Sequence, residues 1–253
     1  MSINLSDLAA MGAEPRHALV SLCLRRDLRS ANVERLYSGI AQQARLFKST
    51  IAGGDLSATE GPLTLTATLI GRVPSAARLL KRSGALPGWQ IAVTGLLGGA
   101  AAGLGLLESR RSPRTRAESE WVSRQLDPEP RVEAGLALVA AGVRVAGDIS
   151  DGLIRELEKL TEPARLGATV HVDQLPLARG LGAGEWGLAL AESEDFELVC
   201  AAPAAVMRKA TNTLKASPAR LTVIGTIDSE PGIRLRRAGS PVSLEKAGYQ
   251  HFR

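Results

Sequence analysis

The chain has 253 residues, of which 45% are hydrophobic and 23% are charged. This composition is typical of a globular protein, and at roughly 100–200 residues per domain the length fits one large or two modest domains. The 26 glycines follow no three-residue period, which excludes a collagen-like fibre. The formal charge of +5 suits anionic small molecules and nucleic acids equally, so charge alone does not select a ligand.

Three sequence features bear on nucleic acid, membrane and location. The densest basic segment, RRSPRTR at 110–116, has no aromatic residue on which bases would stack, so we interpret it as a solvated loop. The uncharged stretch 83–107 contains seven glycines and Pro87, which break it into short elements rather than a membrane span. Cys23 and Cys200 stand far apart without zinc-site spacing, and no signal peptide precedes them, which favours a reducing cytoplasm.

Apolar periodicity predicts two α/β units in chain order. For the first unit it predicts a helix ending near Gly12, a strand at 17–24, a helix at 31–48, a glycine turn in TIAGGDLS and an alternating strand at 63–73. For the second unit it predicts a strand at 90–95 and a small-residue helix after it, helices at 114–126, 130–142, 153–161 and 204–216, strands in ATVHVDQLPL and LTVIGTI, and two short strands around the acidic loop of GLALAESEDFELVCAAP.

Acidic residues beside glycines are the candidates for chemistry. They lie at the mouths of predicted strands or helices and are Asp7, Asp55, Asp148, Asp151, Glu194 and Asp195. Magnesium prefers carboxylate oxygens, and neighbouring glycines let backbone N–H groups approach phosphate. Carboxylates gathered from separate loops would repel one another without a cation, so such a cluster implies a metal.

Each of these residues also has a simpler interpretation. The GGD of AGGDLS is typical of a plain turn, and Asp7 is typical of an exposed helix position. The DISDG segment fits an N-cap pair and a metal loop equally well. The glycine-rich VTGLLGGAAAGL lacks Walker A and Rossmann spacing and fits close packing, while Arg82 fits an ordinary surface arginine as well as a phosphate ligand.

Nine motifs occur in order along essentially the whole chain: NLSDLAAMGAEP, AGGDLS, TEGPLTLTATLIG, KRSGALPG, VTGLLGGAAAGL, PEPRVEAG, GDISDGL, EDFEL and GYQHF. With these motifs the chain resembles the thiamine-monophosphate kinase family of AIR-synthase-like enzymes. Selenophosphate synthetase, AIR synthase and the hydrogenase maturation ATPase share that architecture but match the motifs less well. The resemblance implies a two-domain AIR-synthase-like α/β (α+β) fold, with a partial N-terminal dimerisation and ATP-binding domain over 1–73 and a C-terminal domain over 74–253.

The resemblance also implies magnesium-dependent transfer of the ATP γ-phosphoryl group to thiamine monophosphate, which forms thiamine diphosphate. The acceptor is already a phosphate oxyanion, so no general base is assigned, and magnesium ions and an arginine neutralise the developing charge. By similarity, several magnesium ions would be held by Asp7, Asp55, Asp148 and Asp151. ATP would be bound by Gly54, Asp55, Arg82 and Ser150, and the thiamine substrate by Glu194 and Tyr249.

The chain departs from the family pattern at several places. The family's opening strands, with a Gly-Asp-Asp motif, a Thr/Ser-Asp motif and a histidine-bearing loop, do not precede Ser2 in this sequence. The resemblance therefore implies an incomplete N-terminal domain and a homodimer weakened by unpaired strand edges. Further departures are Gly99 and Ala100 for Asp-Ser, Glu192 and Ser193 for paired glycines, and Trp89 and Gln250 for aspartates. The alternative hypothesis is a degenerate, non-catalytic nucleotide- or partner-binding homologue that has lost metal ligands.

Overall fold

The computed structural model describes residues 1–73, 75, 78–191 and 193–244. Its α-helices are α1 (Ser2–Ala10), α2 (Ser30–Leu46), α3 (Gly99–Glu108), α4 (Arg116–Leu126), α5 (Val132–Ala141), α6 (Leu153–Thr161), α7 (Trp186–Leu190) and α8 (Ala204–Thr213). Its strands are β1 (Glu14–Arg25), β2 (Thr50–Thr59), β3 (Thr64–Arg72), β4 (Gln90–Thr94), β5 (Val145–Asp148), β6 (Gly167–His171), β7 (Leu198–Ala202), β8 (Leu221–Asp228), β9 (Gly232–Arg237) and β10 (Ser240–Val242).

The first unit is a three-stranded sheet in the order β2-β1-β3, in which β1 is parallel to β2 and antiparallel to β3. Alternation along β1 buries Val20 and Leu22 with Ile40 of α2, while Leu19 on the opposite face stays 40% exposed. The predicted glycine turn in TIAGGDLS is wrong, because this segment continues as β2. Gly54 lies so close to β1 that an added Cβ would stand 1.8 Å from the Val20 oxygen, so its glycine serves close approach.

The second unit is a seven-stranded sheet in the order β10-β9-β6-β8-β4-β7-β5. Side chains alternate between its two faces, so that in β7 Val199 and Ala201 join a core with α6, while Leu198 and Cys200 join a core with α1, α5 and α8. Helix α1 packs against α5 and β5 of this unit and against β3 of the other. The N-terminal helix therefore joins the two sheets.

The acidic segment before β7 differs from its prediction. The sequence predicts two short strands there, whereas the structure has the short helix α7 followed by β7. Short apolar runs do not distinguish strand from buried helix, and Ala189 and Leu190 bury their side chains from a helix. The other predicted helices and strands are confirmed, with bounds shifted by a few residues.

The predictions about thiols and membranes can also be checked. Cys23 and Cys200 are both free. Burial raises the pKa of the Cys200 thiol to about 12, which makes it inert at neutral pH. Within the described ranges, no helix has both the length and the apolar character that a membrane crossing needs.

A buried ion pair joins the end of β4, the start of α5 and the start of β7 in the second unit, and Arg124 of α4 also lies 3.8 Å from Glu197 Oε1. The fully buried carboxylate of Glu197 accepts hydrogen bonds from Arg131 Nε (2.8 Å) and Nη2 (2.6 Å) and from Thr94 Oγ1 (2.7 Å). Gly95 makes room for it, since an added Cβ would lie 1.9 Å from Glu197 Oε1. The outer Nη1 of Arg131 donates to the exposed Glu129 at 2.7 Å. Burial alone would lower the pKa of Arg131, but the bonds and charge of Glu197 outweigh burial and raise it.

We predict that Arg131→Met lowers the free energy of unfolding by about 3 kcal/mol, because the buried Glu197 loses its bidentate partner and keeps only Thr94 and Arg124, whose Nη1 lies 3.8 Å from Oε1. The matched control is Glu129→Gln, which removes only the exposed partner of the same guanidinium and changes stability by less than about 1 kcal/mol. Urea unfolding followed by circular dichroism measures both changes. Equal losses in the two variants would contradict the importance given to the buried pair.

Candidate active site

The candidate site lies where β5 ends and β7 begins. The DISDG segment (148–152) runs beside the SEDFE segment (193–197). Three backbone hydrogen bonds join them, from Ile149 N to Glu197 O (2.8 Å), from Phe196 N to Ile149 O (2.9 Å) and from Gly152 N to Ser193 O (3.2 Å). The structure thereby brings two predicted site segments together that are more than forty residues apart in sequence.

The glycine of DISDG is required by the backbone. Gly152 has φ +94°, and an added Cβ would stand 1.5 Å from the Ala191 oxygen. This glycine is also the N-cap of α6, and that helix has no side-chain cap hydrogen bond. Neither Asp148 nor Asp151 therefore caps α6, which removes the N-cap interpretation of the motif.

Asp148 is the buried centre of the site. Its Oδ2 accepts a hydrogen bond from Ser6 Oγ at 3.1 Å, and its Oδ1 accepts one from Arg82 Nη2 at 3.3 Å. Ser6 belongs to α1, so its neighbour Asp7 reaches the same place. Burial, and then the negative charge of Asp148, raise the pKa of Asp7 above its ordinary value. Asp7, Asp148 and Arg82 therefore lie near one another, while their roles as metal and ATP ligands stay predictions.

Two residues that the sequence predictions missed complete this cluster. The buried carboxylate of Glu156 accepts hydrogen bonds from Arg82 Nε and, across a 3.1 Å ion pair, contacts Lys159 Nζ. Lys159 also donates to Asp151 Oδ2 at 3.0 Å. Burial would lower the pKa of Lys159, but its bond to Asp151 and the charge of Glu156 outweigh burial and raise it.

The charges in this cluster do not balance. Its carboxylates are Asp7, Asp148, Asp151 and Glu156, and its cations are Arg82 and Lys159. The protein's own cations offset part of the repulsion that the sequence assigned to metal alone, and a formal charge of −2 remains when all groups are ionised.

This excess of negative charge fits a divalent cation. Among the residues that the structure describes, no group of three or more His, Cys, Asp or Glu side chains is placed to hold a metal ion by itself. Mg²⁺, however, is usually bound by one or two carboxylates together with substrate phosphates and water. Asp7 and Asp148 are the carboxylates of this cluster that could take part in such an arrangement.

The acidic pair Glu194 and Asp195 divides into an exposed and a buried residue. Glu194 is exposed and accepts a hydrogen bond from Gln125 Nε2 at 3.0 Å. Asp195 is buried and accepts hydrogen bonds from Gly98 N (2.6 Å) and Ala100 N (3.1 Å) at the start of α3. Burial raises the pKa of Asp195 despite these bonds. The N–H groups of Gly98 and Ala100, at the glycine-rich start of α3, are therefore already bonded to Asp195.

The remaining predicted residues are placed as follows. Ser150 lies in the DISDG segment and is partly exposed. Gly54 and Asp55 lie on β2, where Asp55 stands opposite Ser21 on the exposed face of the small sheet. In the described part of the chain, the Asp55 side chain takes part in no hydrogen bond or ion pair, so no contact joins it to the cluster. Tyr249, Gln250 and Glu192 lie outside the described residues.

Residues 1–73 match the family model described as AIR synthase related protein, N-terminal domain, and residues 87–237 match its C-terminal domain counterpart. The thiamine-monophosphate kinase of Salmonella typhimurium is 35% identical over 263 residues, which cover the whole chain and 78% of that protein. The thiamine-monophosphate kinase of Bacillus subtilis is 32% identical over 266 residues, which cover the whole chain and 80% of that protein.

Solved structures resemble this chain in the same way. The crystal structure of thiamine-monophosphate kinase from Stenotrophomonas maltophilia has a TM-score of 0.84 and 31% identity over 95% of this chain and 77% of its own. The structure described as AaThiL complexed with AMPPCP and TMP has a TM-score of 0.84 and 28% identity over 99% of this chain and 78% of its own. Given these relatives above 30% identity and family models over both units, the chain belongs to the thiamine-monophosphate kinase family of AIR synthase related proteins.

Proposed function

We propose that this chain transfers the γ-phosphoryl group of ATP to thiamine monophosphate in the presence of Mg²⁺ and forms thiamine diphosphate. The observation that carries the proposal is the meeting of Asp7, Asp148 and Arg82 from three distant segments at one edge of the large sheet. Relatives with the name thiamine-monophosphate kinase match the whole chain, and one matched structure holds AMPPCP and TMP.

The chemistry required is mainly the control of charge. The acceptor phosphate is ionised at neutral pH and attacks without a general base, so the protein must bring two polyanions together. Arg82 presents a fork of N–H donors suited to phosphate oxygens. Asp7 and Asp148 would hold Mg²⁺, which supplies neutralisation of the phosphate charge when it is bound. The hydrogen bonds from Ser6 and Arg82 fix the orientation of Asp148 for that task.

The substrates are assigned to two sides of the site. We assign ATP to Arg82 and Ser150, together with Gly54 and Asp55 of the small sheet. The exposed carboxylate of Glu194 suits the cationic thiazolium ring of thiamine monophosphate, because opposite charges attract across a partly exposed site. We assign Tyr249 to the other face of that substrate, where its aromatic ring would stack.

A homodimer is part of the proposal. The exposed face of the small sheet carries Leu19 and Ile70, which are 40% and 49% exposed and lie opposite Thr68 and His17 in the β1–β3 register. Asp55 is on the same face, since it pairs with Ser21, two positions after Leu19. A second copy covering this face would bury these apolar side chains and bring its own groups towards Asp55.

Two further parts of the proposal concern location and other partners. The free thiols and the use of ATP favour the cytoplasm. Nucleic acid is not proposed as a partner. In the basic segment, Arg111 pairs with Glu118 (2.8 Å) and Arg116 with Glu120 (3.3 Å), so part of its charge is already neutralised.

The rival proposal is a non-catalytic nucleotide-binding homologue. It is favoured by one observation, namely that the structure joins Asp55 to none of the other predicted metal ligands through a contact among described residues. The two proposals differ in their expected turnover. A folded chain that binds Mg-ATP but forms no thiamine diphosphate would support the rival.

We predict that Asp148→Asn lowers kcat for thiamine diphosphate formation by at least about 100-fold, because it removes a carboxylate assigned to Mg²⁺ and loss of even an outer-shell partner costs up to about 100-fold. The control is Asp173→Asn, at an exposed carboxylate outside the cluster, and it should retain wild-type turnover. Turnover is measured with Mg-ATP and thiamine monophosphate by chromatography of the product. Wild-type turnover in Asp148→Asn would refute the assignment of this aspartate.

We predict that Asp7→Asn raises the melting temperature by roughly 1–2 °C without Mg²⁺ while it reduces activity. The pKa of Asp7 is higher in the folded state, so its ionisation opposes folding. The gain should therefore grow as pH rises through the raised pKa and vanish near the ordinary value of about 4. Scanning calorimetry between pH 5 and pH 8 tests this, with Glu34→Gln on α2 as control. A lower melting temperature for Asp7→Asn than for wild type at pH 8 would show that ionised Asp7 does not oppose folding, and the prediction would be wrong.

We predict that Leu19→Lys shifts the chain towards monomer, because it places a charge in the apolar face assigned to the second copy. Sedimentation equilibrium measures the shift, with Leu126→Lys, at an equally apolar residue that is 68% exposed on α4, as control. Equal association of wild type and Leu19→Lys would exclude this face as the dimer contact.

A further inference from the structure

Glu156 is a carboxylate at a position where an apolar residue would be expected. It lies on the inward side of α6 with Leu153, Leu157 and Leu160, and its side chain is 1% exposed. A buried carboxylate is unfavourable unless cations and hydrogen bonds compensate it. Arg82 and Lys159 supply both, so the buried charge is held by two cations of the site.

The strand beside Glu156 is shaped to admit this carboxylate. Gly147 directly precedes Asp148 on β5, and an added Cβ would lie 1.9 Å from Glu156 Oε1. Every other residue type would carry that Cβ and displace the carboxylate. The glycine of GDISDG therefore provides the space in which Glu156 meets Arg82.

The contact with Glu156 uses one edge of the Arg82 guanidinium. Nε and Nη2 face Glu156, and Nη2 also reaches Asp148 at 3.3 Å. Within the described ranges, Nη1 has no hydrogen-bond partner. The Arg82 side chain is 46% exposed. The guanidinium is thus fixed on one side and keeps donors free on the other.

We infer that Glu156 is a positioning residue for the nucleotide: it holds Arg82 with its Nη1 donors available to the ATP phosphates. This inference rests on the proposed function. Glu156 is buried behind Arg82 and acts on the nucleotide through it, while its second partner, Lys159, is held by Asp151 as well. Its loss should therefore weaken the use of ATP without changing the use of thiamine monophosphate.

The test compares Glu156→Gln with Glu158→Gln, a control on the same helix whose carboxylate pairs with Arg155 at 2.8 Å. We expect Glu156→Gln to raise KM for ATP about 10-fold, the lower end for loss of an outer-sphere partner, with KM for thiamine monophosphate unchanged. Glu158→Gln should leave both values unchanged. An unchanged KM for ATP in Glu156→Gln, or equal rises in both KM values, would overturn the inference, because a purely structural residue affects both substrates alike.

A double substitution tests whether Glu156 acts through Arg82. Arg82→Lys keeps the charge but loses the planar fork, and should raise KM for ATP by itself. If Glu156 only orients Arg82, the double variant Arg82→Lys with Glu156→Gln should be no worse than Arg82→Lys. Additive effects would overturn the inference.

A second variant replaces Glu156→Gln if that variant fails to fold. In Gly147→Ala the added Cβ displaces the same carboxylate and should give the same rise in KM for ATP.

A binding measurement separates this inference from the proposed function. Calorimetric titration with AMPPCP and Mg²⁺ needs no turnover, and Glu156→Gln should weaken binding about 10-fold relative to wild type and Glu158→Gln. A wild type that binds AMPPCP but forms no thiamine diphosphate refutes the kinase proposal and leaves the role of Glu156 supported by the binding difference. A wild type that binds no AMPPCP overturns both.

Discussion

The buried carboxylate of Glu197 is the constraint on which the site depends. Its side chain is held by Arg131 and Thr94, and its backbone carbonyl accepts the hydrogen bond from Ile149 N. The same residue thus anchors the SEDFE segment to the sheet and sets the position of the DISDG segment. A buried ion pair contributes little net stability, but loss of one partner is severe, so the two segments are tied to one arrangement.

Two of the three carboxylates in the SEDFE segment bind groups inside the protein, and the third is exposed to solvent. Asp195 binds the backbone at the start of α3, Glu197 binds Arg131, and only Glu194 faces solvent. Between the two buried acids, Phe196 has φ +50°, an uncommon conformation for a residue with a side chain. A buried anchor therefore stands on each side of this uncommon backbone conformation, and the segment leaves a single carboxylate available to a ligand.

The neighbouring cluster is unfavourable for negative charge. Burial, and then the charge of Asp148, raise the pKa of Asp7, and Arg82 and Lys159 offset only part of the negative charge. The remaining formal charge of −2 is unfavourable without a cation, and one divalent ion such as the proposed Mg²⁺ would offset it. The arrangement costs stability in the free protein, as expected where residues are placed for ligand rather than for packing.

Much of this could be predicted from the sequence. Motif order identified the family, and periodicity located most helices and strands, because amphipathic patterns reflect one buried face. Periodicity failed at β2, where the glycines allow close contact with β1 and do not form a turn. It also failed at α7, which is too short to show whether its apolar residues repeat as in a helix or as in a strand. Glu156 left a signal, a charged residue among the inward leucines of LIRELEKL, but its partner Arg82 is 74 residues away. Such pairings depend on tertiary packing, which local sequence does not encode.

We propose that this chain catalyses phosphoryl transfer to thiamine monophosphate. The decisive measurement is phosphorus NMR of the 253-residue chain with Mg-ATP and thiamine monophosphate. We expect the γ-phosphate signal of ATP to disappear while the two phosphate signals of thiamine diphosphate grow at the same rate. Unchanged ATP and thiamine monophosphate signals in the presence of folded protein would contradict it.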